Sequence, residues 1–229
     1  MKKIILLALI ALCSACDFEG NPNIVKHKKF RSFVVFYNEM DALNLHLQKE
    51  GSTDILLRSS SKKTYDSRSI DTDKEIYDNL CIKNNDMSFN QNLSYMIYSE
   101  NELPSSFVFD FERIEVFSNT DFDATHSAGT SLSDIIQAEY TSYKPFIDNN
   151  YTLVEESASW IPKIPTTNKK LSDLSPKDLY LLKNEKMWAF MRLSFTQTPT
   201  INQPHTITVK LHETSGKVYT DSVVVSEWK

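Results

Sequence analysis

The chain has 229 residues, 41% of them hydrophobic, a formal net charge of −5 and only four glycines. That length suits one large domain or two small ones. The acidic balance argues against the basic footprint that nucleic-acid binding requires, and so few glycines leave no Gly-rich phosphate cradle.

The first 15 residues read as an export signal. Lys2 and Lys3 form a charged start, Ile4 to Leu12 run apolar, and Ser14 and Ala15 are small. The apolar run is too short to span a bilayer, which takes about 20 residues, but it fits a signal-peptide core. Followed by Cys16, this segment resembles the bacterial lipobox. It departs from it in carrying Cys13 where Leu is usual. The resemblance implies cleavage before Cys16, lipidation of Cys16, and a membrane partner held through acyl chains, each buried CH₂ contributing about 0.8 kcal/mol. Removing Lys2 and Lys3 takes the charge of the mature chain from −5 to −7. Residues 16–29, with Gly20 and Pro22, read as a flexible tether, and 30–229 as a single domain. Once Cys13 leaves and Cys16 is lipidated, Cys81 is the only free thiol. Its apolar neighbours Leu80 and Ile82 make it a buried small hydrophobe rather than a nucleophile.

From Phe30 onward, short apolar segments begin. Phe33 to Tyr37 reads as a buried strand; Leu43, Leu45 and Leu47 alternate with polar residues; Ile55 to Leu57 is a further short candidate. Ser59 to Lys74 is polar and reads as a long excursion outside the core. Leu93 to Tyr98 returns to strand. Phe107, Phe109 and Phe111 alternate with Val108, Asp110 and Glu112, and the parity then shifts to Ile114 and Val116. Such a shift within one strand is the mark of a β-bulge. Ser131-x-x-Asp134 and Ser175-Pro176-Lys177-Asp178 both look like starts of short helices of about two turns, the second with proline at the first helical position.

The C-terminal pattern is clearest. Met191, Leu193 and Phe195 alternate, then Ile207, Val209 and Leu211, and Gly216 turns the chain into a Val-rich last strand. Strands near 188–197, 205–212 and 217–227 are expected to form a consecutive antiparallel meander. The expected fold is mostly β: an antiparallel β-sandwich, an immunoglobulin-like arrangement being one option, with a few short helices. The lipobox, the acidic domain, the terminal strands and the segment Ile114 to Leu132 together resemble uncharacterised cell-envelope lipoproteins of Bacteroidota-type bacteria. That resemblance implies an outer-membrane lipoprotein facing the periplasm or the surface and supplies no activity.

Candidate chemistry is sparse. Asp121-Phe122-Asp123-Ala124-Thr125 matches D-x-D-x-T, the nucleophile motif of haloacid-dehalogenase-type phosphatases. It follows the turn residues Ser118-Asn119-Thr120, and no strand–helix alternation surrounds it, so an Asx-rich turn is the expected state. Asp121, Asp123 and His126 are the weak candidates for a metal; too few ligands stand together for Ca²⁺ or Zn²⁺, and no metal or cofactor is expected. Tyr140, Tyr143 and Trp160 belong to an aromatic-rich stretch that could meet a partner, although aromatics more often fill cores. Asp221-Ser222-Val223 resembles a Bacteroidota-type O-glycosylation site on Ser222. The functional expectation is a non-enzymatic module that binds a protein or glycan. The alternative is a carboxylate-based envelope hydrolase centred on Asp121 and Asp123.

Overall fold

The computed structural model describes residues 31–66, 70–89, 103–152, 162, 164–184 and 188–228. Cys16, the signal, the tether, Leu93 to Tyr98 and Trp160 lie outside them. Among these described residues, nine strands form two sheets. In chain order they are β1 (Phe36–Leu47), β2 (Ile55–Asp66), β3 (Ser105–Phe107), β4 (Phe111–Ser118), β5 (Ile136–Tyr140), β6 (Thr167–Lys170), β7 (Met191–Phe195), β8 (His205–Glu213) and β9 (Val218–Val225). The larger sheet runs β3-β1-β2-β7-β5-β6 and the smaller runs β4-β8-β9. All pairings are antiparallel except β1 with β3. The helices are α1 (Asp71–Lys83) and α2 (Lys144–Asp148), with short 3₁₀ turns at Ser133–Ile135, Leu171–Asp173 and Pro176–Leu179. Among the described residues no helix is long and apolar enough to cross a membrane.

The expected β-sandwich-like architecture is therefore present. Its six-plus-three strand division departs from the four-plus-three division of the immunoglobulin fold. Alternation explains the layering. Ile55, Leu57, Ala138, Met191 and Leu193 of the large sheet and Val116, Ile207, Val209 and Leu211 of the small one are fully or almost fully buried in one apolar cluster. A second cluster packs α1 and α2 around Phe33, Val34, Val35 and Tyr37, with edge-on ring contacts such as Phe33–Phe146 at 4.9 Å. β9 lies beside the part of β1 that β3 leaves uncovered. There the Asp221 carboxylate accepts the Leu45 N–H at 2.7 Å, and the Tyr219 hydroxyl donates to the Met40 carbonyl at 3.0 Å.

Several expectations need correction. The three C-terminal strands are not a meander. β8 and β9 do form the antiparallel hairpin, with Gly216 at φ 91° in its turn, but β7 pairs with β2 and β5 in the other sheet. Alternation fixes which face of β7 is buried and does not choose its neighbours, and the segment from Pro199 to Pro204 carries the chain between sheets. Ser59 to Asp66 is no excursion. It continues β2 along β1, since a backbone ladder tolerates polar side chains on a solvent face. Asp71 to Lys74 already belongs to α1, a 13-residue helix that no segment of the sequence was assigned to. Phe107 to Val116 is two strands, one in each sheet, parted at Val108 to Asp110. The bulge is nonetheless real: Phe111 pairs with Glu213 and Arg113 with His212, leaving Glu112 as the extra residue. Ser131 does not cap a helix, because Asp134 turns to His126 instead. Ser175 does form its capping box with Asp178, over a single 3₁₀ turn.

Candidate functional site

The D-x-D-x-T segment folds as a closed turn. Asp121 Oδ1 accepts the Ala128 N–H at 2.7 Å. Asp123 accepts the Thr125 and His126 N–H groups at 2.7 and 2.9 Å and the Gln197 amide at 2.7 Å. Its carboxyl is held well below the usual range by the Thr125 hydroxyl and the His126 bonds, against opposing desolvation. The strand before it, β4, is antiparallel to β8, so the parallel βαβ setting of the phosphatase motif is missing. His126 is almost buried, with Nδ1 on Asp123 at 2.8 Å and Nε2 on Asp134 at 2.9 Å. Carboxylates only accept, so holding both bonds at once takes a proton on each ring nitrogen, and in that state the ring has no lone pair for a metal. Asp121 takes no part in this cluster. Among the described residues no group of three His, Cys, Asp or Glu is placed to hold a metal.

The aromatic candidates fare differently. Tyr140 and Tyr143 are both 3% exposed, so neither offers an open ring face for a partner to stack on. Tyr143 meets Phe33 in the second core, and the Tyr140 hydroxyl donates to Asp178 at 3.1 Å. Burial works against the Asp178 charge, yet bonds from Lys169 and Ser175 bring its carboxyl down to about 2. Cys81 is buried, and burial pushes its thiol up to about 11, which removes it as a nucleophile at neutral pH. Ser222 is exposed on β9, its hydroxyl 2.8 Å from that of Thr208, while the adjacent Asp221 carboxylate is engaged by β1.

The described surface does hold a cleft, on the solvent face of the large sheet. Register puts Leu56 of β2 opposite Arg192 of β7, and Arg192 opposite Glu139 of β5. These residues are out of phase with the buried Ile55, Leu57, Ala138 and Leu193, so they point away from the core. Together with Arg58, Thr141 and Trp188 they line a cleft of about 550 Å³. Trp188 is 70% exposed, the most exposed large aromatic side chain among the described residues. The Arg192 Nη2 donates to Glu139 Oε2 at 2.5 Å, while its buried Nε has no partner. Tyr140 forms a wall shared with an adjoining, more apolar cleft of about 320 Å³ beside Pro145 and Phe146.

Sequence reasoning missed this constellation. Arg192 was legible as an outward residue of β7, but Arg58 fell between the short Ile55 to Leu57 candidate and the supposed excursion, and Trp188 carried no local motif. Comparison of the chain with family models, with curated proteins and with solved structures finds no match. The fold defines a β-sandwich-like protein, with an open cleft beside the exposed Trp188 among its described residues.

Proposed function

We propose that this chain is a lipid-anchored cell-envelope module, tethered through Cys16, that binds a glycan in the Trp188 cleft without transforming it. The anchor rests on the charged start, apolar run and small residues before Cys16. On that reading it sits as an outer-membrane lipoprotein facing the periplasm or the surface. The binding rests on Trp188: a large flat ring, 70% exposed beside a cleft, suits stacking against the C–H face of a sugar. A protein strand is less well served there. The backbone groups of β2, β7 and β5 are already paired with one another, so recognition falls to side chains rather than strand addition. Carboxylate hydrolysis has no comparable support. Glycoside cleavage uses two carboxyl groups flanking one bond, and Glu139 is the single carboxylate among the described residues lining the cleft. Asp121 Oδ1 is bonded within its own loop, and Asp123 is bonded to that loop and to Gln197.

A glycan array probed with full-length protein in detergent tests this. Retention of one glycan class is expected, falling about tenfold or more in Trp188→Ala and much less in Trp188→Phe. Absent retention, or retention untouched by Trp188→Ala in a protein that melts normally, would overturn it.

A further inference from the structure

We infer that the Trp188 cleft selects an acidic sugar, one whose ring lies on Trp188 while its carboxylate meets Arg58 and Arg192; this rests on the glycan-binding reading above. The chain is acidic overall, at −5, yet this cleft carries the opposite sign. Its described charged residues are Arg58, Lys183 and Arg192 against the single carboxylate of Glu139. Arg192 already accommodates a planar carboxylate, since its Nη2 holds Glu139 Oε2 at 2.5 Å. Its Nε is buried and faces no ligand, but Glu139 takes only one Nη2 bond, so the partly exposed Nη end of the guanidinium retains donor capacity. Arg58 is exposed and forms no ion pair among the described residues. A guanidinium is a rigid, always charged fork whose geometry matches a carboxylate, and two of them beside one aromatic face define a ligand with a ring and an anionic edge. Neutral sugars would stack on Trp188 and offer the arginines only hydroxyl acceptors, without the charge-assisted pairing that a carboxylate makes. An acidic peptide would meet the arginines but gain no pairing from the closed ladder beneath.

Isothermal titration of the full-length protein in detergent separates these cases. The probes are a galacturonic acid tetrasaccharide, the neutral galactose tetrasaccharide and tetraglutamate. The uronate is expected to bind at least about tenfold more tightly than the neutral sugar at low salt, with the advantage shrinking at 0.5 M NaCl. Arg58→Gln and Arg192→Gln should each narrow the acid-to-neutral ratio. Arg58→Gln is the safer variant, because its exposed side chain makes no hydrogen bond or ion pair among the described residues, and an unchanged melting curve verifies that the fold is kept. Equal affinity for both sugars overturns the acidic preference and leaves the glycan site standing. Tetraglutamate binding as tightly as the uronate overturns the sugar assignment in favour of an acidic peptide. Binding of none of the three overturns this inference, and empty glycan arrays in addition would remove the reading beneath it.

Discussion

Asp86 and His126 are both buried and titrate with consequences that can be separated. Asp86 takes the Phe33 and Val34 N–H groups at 2.7 and 2.8 Å and the Tyr151 hydroxyl at 3.0 Å, tying the backbone before β1 to the segment after α1. Burial pushes its carboxyl up to about 6, with those three bonds opposing the rise. A folded value above the ordinary 3.8 means that the folded state keeps the proton longer. Its contribution is fully present below about 3.8 and is lost as pH rises through about 6. Asp86→Ala strands two buried backbone donors and should cost about 3 kcal/mol in urea denaturation. The gap from wild type should narrow between pH 4.5 and 7.5; a gap that widens would show that the three bonds outweigh burial.

For His126, burial lowers the pKa, but the bonds to Asp123 and Asp134 more than offset it, and the net shift is upward. The clasp is therefore fully present below about 6.5 and is lost as pH rises through the raised value. Asp123 and Asp134 are shifted down, so their share is present above 3.8 and is lost as pH falls through their lowered values. Asp134 is half-exposed, and solvent screens its part. The clasp should peak between about pH 4 and 6.5. Melting curves of His126→Gln should fall below wild type by about 2–4 °C at pH 5.5 and converge on it at pH 9. A constant deficit at both pH values would mean that packing, not charge, supplies the loss.

At the scale of elements, β8 offers the sharpest contrast. Val209 is 0% exposed between the sheets, while its neighbour Lys210 points outward with its Nζ 5.3 Å from the Phe117 ring centre. Val209→Asp should cost about 3–5 kcal/mol by placing an unpaired charge in the core. Lys210→Asp should cost about 1 kcal/mol or less, partly through repulsion by the paired Glu115. Equal urea midpoints for the two would refute this facing. Facing is what the sequence made legible: Ile207, Val209 and Leu211, or Met191 and Leu193, alternate as burial does. Partner choice was not legible. β7 and β8 are separated by a short connection, which invites a hairpin, yet β7 gains two partners in the larger sheet and forms a central strand. β2 shows the converse. Its Ser-Lys-Thr stretch lacks apolar alternation because, apart from Tyr65, it is held by the β1 ladder rather than by side-chain burial. α1 was equally hidden: Tyr77, Leu80 and Cys81 are its buried residues, too few to mark a helical face among seven charged or amide neighbours.

For the whole molecule, the anchor and the cleft carry the account. Cys16→Ala should release the protein from membranes or block its processing, as read by detergent partitioning and by the size of the mature chain. Normal maturation with unchanged partitioning would contradict lipidation at Cys16. The turn at Asp121 to His126 was legible as a turn because Asn and Asp side chains bond their own backbone. The cleft was not, since Arg58, Glu139 and Arg192 converge only through the β2-β7-β5 pairing. The most direct measurement is solution NMR of the three tryptophan indole N–H signals during titration with the glycan that an array retains most strongly. Trp228 is packed edge-on against Phe122 and Phe195 and should stay in place. The Trp188 signal, identified by its loss in Trp188→Phe, should move saturably with the ligand. A saturating titration in which Trp188 stays unmoved would contradict the account.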